Sequence, residues 1–153
     1  MTAAREGQLV RFFERFAKWI GLSENTGPVV AVLFKENFEG KNRLSADEIR
    51  RRTNYSRANT GLILTQLELM GIVDGQKDYG QKGRGRRRVL YSITKSTEEL
   101  LNLGISRMDD GLNEMLSNLT ALKSDFTSSS SATKMLKAIE RDVKKTSKKI
   151  QSL

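Results

Sequence analysis

The chain has 153 residues, enough for one domain or one domain with an appendage, and carries a net charge of +9 with a pI near 10.0. That balance suits a polyanionic partner and argues against an acidic ligand surface. With no cysteine and no histidine, it excludes disulfides, thiolate zinc sites, thiol redox sensing and histidine general bases.

No apolar run approaches the ~20 residues that span a bilayer. The N-terminus MTAAREGQ lacks the basic start and apolar core of a signal peptide. The expectation is a soluble cytoplasmic protein with no membrane partner.

The first expected helix covers residues 8–20, with Leu9, Phe12, Phe13, Phe16, Trp19 and Ile20 on a broad apolar face read as core packing. Gly21 and the polar stretch Ser23–Gly27 end it. A second helix starts near Pro28, since proline suits a first helical turn, and carries Val29, Val30, Val32, Leu33 and Phe38 to a stop at Gly40.

Residues 44–93 read as helix, turn, helix, wing. Ser45 with Glu48 is a capping box, Asp47 favours the helix start, and Leu44 and Ile49 point to the core. Arg50, Arg51 and Arg52 close the last turn, as a solvated end or as phosphate contacts. Asn54 and Tyr55 make the turn, and Ser56 caps the next helix. Thr60, Ile63, Leu64 and Leu67 recur at helical spacing and should bury. Ser56, Arg57, Ala58, Asn59, Gly61, Leu62 and Thr65 then form the candidate reading surface. Arg57 offers a guanidinium fork for guanine and Asn59 an amide for adenine, while Ala58 and Gly61 let the backbone approach a groove. Leu62 either touches a thymine methyl or tucks against a neighbouring helix.

Gly71 is the expected left-handed cap. Residues 72–76 and 88–93 read as antiparallel strands. Between them KDYGQKGRGRRR holds six basic residues and one acid, a local charge of +5. Lys77, Lys82, Arg84, Arg86, Arg87 and Arg88 are the candidate wing contacts to DNA, on a glycine-spaced tip suited to groove insertion.

The stretch from Ser56 to Val73, S-R-x-N followed by L-x-x-L-E-x-x-G-I-V, resembles the recognition helix and wing of MarR-type winged-helix regulators. It is most similar to the glycine-betaine/choline-responsive repressor branch, whose short wing also ends in consecutive arginines and an aromatic, as Arg86, Arg87, Arg88 and Tyr91 do here. The resemblance covers about a third of the chain well. It implies a homodimeric, DNA-binding transcription regulator, controlled by the spacing of its two reading heads. Leu62 and Thr65 are less polar than such helices usually carry. A small-molecule effector fits the scheme but has no support in the sequence.

Beyond residue 96, Leu101, Ile105, Met108, Leu112, Met115, Leu119, Leu122 and Phe126 are spaced alternately four and three apart. A seven-residue repeat held this long marks a straight seam against another helix, roughly 38 Å long at the helical rise. This is the candidate dimerisation surface. Four consecutive serines then favour a break before a second helix carrying Leu136, Ile139, Val143, Ile150 and Leu153. That helix holds seven basic residues, Lys144, Lys145, Lys148 and Lys149 among them, read as a solvated face or a secondary nucleic-acid contact.

No phosphate-binding glycine loop is present, because G-Q-K-G-R-G sits in a hairpin tip. No carboxylates have metal-ligand spacing, and the usual nucleophile–base pairs have no candidates. The expectation is therefore no enzyme, no metal and no cofactor. The expected fold is mainly α with a small β wing: a winged helix-turn-helix domain over 1–95 and a helical, coiled-coil-like dimerisation region over 96–153. The expected function is sequence-specific double-stranded DNA binding as a homodimer on the nucleoid. The alternatives are a sequence-indifferent architectural DNA binder and a winged-helix protein–protein module.

Overall fold

The computed structural model describes residues 3–40, 42–126 and 130–153. The chain divides into two units, Met1–Leu101 and Asn102–Leu153. In the first, α1 (Ala3–Trp19) is followed by a short 3-10 turn (Glu24–Thr26) and α2 (Gly27–Glu39). Helix α1 begins well before residue 8, because Ala3, Ala4, Arg5 and Glu6 are all good helix formers. Helix α2 starts where Pro28 allows it, and it crosses α1 closely at Gly27. A Cβ there would stand 2.6 Å from the backbone of Glu14, so only glycine permits this approach.

The core of this unit is Ala17, Ile20, Val29, Val30, Leu33, Ile49, Leu64, Leu67, Ile72 and Leu100, all with essentially no exposed surface. The broad aromatic face expected on α1 is only partly core. Phe13 packs against Phe34 of α2 with ring centroids 5.4 Å apart and planes tilted by 33°, whereas Phe12 (58% exposed), Trp19 (41%) and, on α2, Phe38 (93%) point outward. The α1 stripe is wider than the surface α2 offers, so its flanks stay uncovered.

The chain then makes β1 (Leu44–Ser45), α3 (Ala46–Thr53), α4 (Arg57–Leu69), β2 (Val73–Lys77) and β3 (Val89–Ile93). The capping box forms as its residues require: Ser45 Oγ accepts from the Glu48 amide, and Glu48 accepts from the Ser45 amide at 2.7 Å. The Ser45 backbone N–H, foremost, and the Ser45 hydroxyl, which also donates to Glu48 at 3.0 Å, hold the Glu48 carboxyl below its usual range. The sheet is antiparallel in the order β1-β3-β2. Val73 pairs with Ile93 and Lys77 with Val89, and Leu44 and Ser45 add two residues across from Tyr91 and Leu90. The sequence reading expected two strands and missed β1, which is too short to show alternation.

Helix α5 (Thr97–Lys123) opens on a second capping box, with the Ser96 amide donating to Glu99 at 2.7 Å. In the second unit, the rest of α5 and α6 (Ser131–Gln151) form an antiparallel pair. Ser147 meets Asp109 at 3.4 Å near one end, and Lys123 pairs with Glu140 near the other. The expected break is present. Helix α5 stops at Lys123, and Ser130 caps α6 by accepting from the Thr133 amide at 3.1 Å. Of the serine-rich run, residues 127–129 lie outside the described residues.

Candidate nucleic-acid interface

The turn between α3 and α4 is set by Asn54, which takes the left-handed conformation at φ 59°. Asparagine tolerates this better than most residues. Tyr55 then donates its hydroxyl to the Asn25 carbonyl at 2.9 Å, tying the turn to the 3-10 segment. Ser56 Oγ accepts from the Asn59 amide at 3.1 Å and starts α4. The expected inner face is the observed one: Thr60, Ile63, Leu64 and Leu67 are buried. Gly71, at φ 68°, ends the helix by returning the Ile72 amide to the Leu67 carbonyl at 2.9 Å.

The outer face of α4 carries Arg57, Ala58, Gly61, Leu62 and Thr65, all exposed, beside the exposed Ser56 and half-buried Asn59. Leu62 is 72% exposed, so it does not tuck against another helix of this chain. Asn59 is already engaged. Its Oδ1 accepts from Asn25 Nδ2 at 2.9 Å, and its Nδ2 donates back at 3.3 Å. Arg57 makes no hydrogen bond or ion pair among the described residues.

The wing is ordered by Asp78. Its carboxylate accepts from Arg88 Nε at 2.9 Å and from the Gly80 amide at 3.1 Å, and its own amide donates to the Arg88 carbonyl. The Arg88 guanidinium, then the Gly80 amide, hold Asp78 below the usual carboxylate range, and Arg88 is raised in return. Arg87 lies 5.3 Å over the Tyr79 ring and donates to the Asp78 and Tyr79 carbonyls. At the wing base, Arg43 donates to the Asp74 and Leu90 carbonyls and pairs with the Asp74 carboxylate at 3.1 Å. Lys77, Lys82, Arg84 and Arg86 have no partner among the described residues. The six wing cations thus divide into two built into the hairpin and four left free.

On α3, Arg50 and Arg51 share Asp47, while Arg52 turns away to Glu36 on α2. Arg50, foremost, keeps Asp47 below its usual range. Arg50, Arg51, Arg57, Arg86, Arg87 and Arg88 converge with Asp47 around one open cleft of about 620 Å³. The start of α3, the head of α4 and the wing therefore face a common volume lined by six guanidinium groups against one carboxylate. Asn25, Arg43, Asp78 and Tyr79 all shape this region and were missed in the sequence, where Tyr55 stands only as part of the turn. Only Asp78 had a local signal, the D-Y-G run of a side-chain-capped turn. Asn25 and Arg43 act across more than 30 positions.

The heptad on α5 separates into two rows. Leu101 (43%), Met108 (41%), Met115 (54%) and Leu122 (46%) are exposed. Ile105 and Leu112 are half-buried and Leu119 is buried, while Phe126 lies beyond the helix end and is exposed. On α6, Met135 (57%) and Ile139 (42%) add to the uncovered apolar surface. Glu140 receives Lys123 and Lys144, whose ammonium groups lower its carboxyl to about 2.

No family model matches the sequence, and no curated protein does either. Solved structures do match. One, a transcriptional regulator, superposes with a TM-score of 0.59 at 9% identity, over 95% of this chain and 92% of that one. The fold is shared with it: a winged helix-turn-helix with additional helices. A MarR family transcription regulator aligns at TM-score 0.44 and 15% identity, over 96% of this chain and 88% of that one. The S. aureus MepR–DNA complex aligns at 0.46 and 16%, over 81% and 94%. No helix among the described residues is long and apolar enough to cross a membrane.

Proposed function

We propose that this chain is a sequence-specific, double-stranded DNA-binding transcription regulator of the MarR type, acting as a homodimer. The observation that carries this reading is the arginine cleft, where Arg57 at the head of α4 and Arg86–Arg88 of the wing line one volume. A reading helix in a major groove and a wing on the adjacent backbone need this juxtaposition of a base-reading fork with phosphate-neutralising charge. Arg57 reads a base edge, and Leu62 meets a thymine methyl. Lys77, Lys82, Arg84 and Arg86 anchor the wing on phosphates, with Arg87 and Arg88 shaping it. Ser56, Ala58, Gly61 and Thr65 form the contact surface around them.

The exposed row Leu101, Met108, Met115 and Leu122 supports the homodimer. Four large apolar side chains in heptad register, left in water, are a seam awaiting a second helix. Leu119, Leu112 and Ile105 support that seam from within, and Phe126 extends it. Such a dimer presents two reading heads roughly 34 Å apart on successive major grooves.

The test is selection from random duplex DNA at ~150 mM salt, a range where charge contacts alone are weakened. Variants Arg57→Ala and Arg84/Arg86→Ala are run alongside. The expected result is a two-fold-symmetric motif that loses a base preference in the first variant and retention in the second. Retention without any motif makes the chain an architectural binder. No retained DNA assigns the winged helix to protein recognition.

A further inference from the structure

We infer that α6 is a second duplex-binding surface, gripping phosphates without reading sequence and acting independently of base contacts from α4. All seven cations of α6 are exposed: Lys134, Lys137, Arg141, Lys144, Lys145, Lys148 and Lys149. At about 100° per residue they fall within an arc of about 140°. Leu136, Ile139, Val143 and Ile150 occupy the opposite pole. Of the seven, only Lys144 has an acidic partner, Glu140; the other six have none among the described residues. A helix that merely needs solubility mixes signs along its exposed face. This one concentrates unpaired positive charge over roughly 22 Å, from 134 to 149 at the helical rise.

The chemistry selects the partner. Six of the seven are lysines, which act as point charges and not as the bidentate forks that read bases. A single-stranded nucleic acid would want aromatic platforms, and α6 has no aromatic residue. A membrane-surface helix inserts its whole apolar face, but Leu136 and Ile150 are already buried and Val143 half-buried, leaving only Met135 and Ile139 uncovered. What remains is a regular rod of phosphates, which duplex DNA presents at one charge per ~1.7 Å of axis.

The experiment uses the full chain and random-sequence duplex of about three helical turns. Lys134/Lys145/Lys148→Gln is compared with wild type and with Arg5/Arg11/Arg15→Gln, three exposed cations on α1 that lower the net charge equally. Each phosphate contact contributes ~0.9 to the slope of log affinity against log salt. The α6 variant should lose about 2.7 of slope, so wild type drops about 40-fold more than it does between 50 and 200 mM salt. The α1 variant should keep the wild-type slope, and Lys134/Lys145/Lys148→Arg should restore it. Equal slopes in wild type and the α6 variant overturn the inference, as does an equal loss in the α1 control. If Lys134/Lys145/Lys148→Gln loses helicity, Lys137/Arg141→Gln replaces it, with a loss of about 1.8. Capture of wild type, but not the α6 variant, by phosphatidylserine–phosphatidylcholine vesicles with no slope change also overturns it, in favour of a membrane. The whole series repeated in the Arg84/Arg86→Ala background separates its outcome from that of the wing.

Discussion

Arg84, Arg86 and Arg88 each add one positive charge to the same twelve-residue hairpin tip, and a reading by charge alone makes them equivalent. The structure makes them different. Arg88 is consumed by Asp78 at 2.9 Å, so the pair presents almost no net field to a phosphate. Arg84 and Arg86 have no acid beside them. Each phosphate neutralised releases counterions worth ~0.9 in salt slope. Arg84/Arg86→Ala should therefore flatten the slope by about 1.8, a relative change of about 12-fold between 50 and 200 mM salt. Arg88→Ala should leave the slope nearly unchanged. It should instead loosen the hairpin, because Asp78 loses its guanidinium and the turn loses its brace. Fluorescence anisotropy across a salt series gives the slopes, and amide exchange over residues 78–88 gives the wing order. A slope loss in Arg88→Ala equal to that of Arg86→Ala would refute the division, leaving the tip a charged tail with no internal architecture.

Other consequences are as direct. Asn25→Ala removes both hydrogen bonds that occupy the Asn59 amide. Asn59 is then free to read an adenine, sharpening one position of each half-site by ~1–3 kcal/mol in a binding-site selection; an unchanged motif would mean that Asn25 does not govern Asn59. Leu67→Ala empties a fully buried position in α4 and should cost ~2–5 kcal/mol, read from the urea midpoint. A shift under ~1 kcal/mol would contradict the packing described. Met115→Glu puts a charge into the exposed seam and should give monomers by sedimentation equilibrium where wild type is dimeric; a dimeric variant would move the interface elsewhere. Glu140 is depressed from 4.5 to about 2 in the folded chain, so its contribution to the α5–α6 pair is complete above about 4.5 and lost as pH falls towards 2. Glu140→Gln should remove that part of the acid dependence of α6 amide exchange.

How much of this was legible depended on whether the signal was local. The Ser45–Glu48 capping box, the α4 inner face and the Gly71 cap are set by neighbours within a few positions, and Ser45, Thr60, Leu67 and Gly71 all sit as their spacing requires. Strand β1 failed because two residues carry no periodicity. The outward turn of Phe12 and Trp19 failed for another reason: amphipathic spacing gives the apolar stripe but not the width of the surface that will cover it. In the site, composition identified a basic wing. It could not say which cations were free, because Asp78 is ten positions from Arg88. The capture of Asn59 by Asn25 was equally hidden, since no pattern links two asparagines 34 positions apart.

That capture also bears on why the protein should need two heads. With Asn59 engaged, Arg57 is the free bidentate group at the start of α4, and one such contact discriminates by ~1–3 kcal/mol. Site-specific regulators separate cognate from random DNA by roughly 4–10 kcal/mol. One head falls short, and Leu62 against a thymine methyl does not close the gap. Two heads on one symmetric site double the discrimination to ~2–6 kcal/mol, which reaches the lower part of that range without any further base contact. On the proposed contacts, the charge of the wing and of α6 should raise affinity for every sequence alike, so it should not substitute for the second Arg57. In the proposed homodimer, selectivity is thus tied to the seam of Leu101, Met108, Met115 and Leu122: a monomeric Met115→Glu protein should still hold duplex DNA at low salt, yet prefer its site by only the square root of the wild-type ratio.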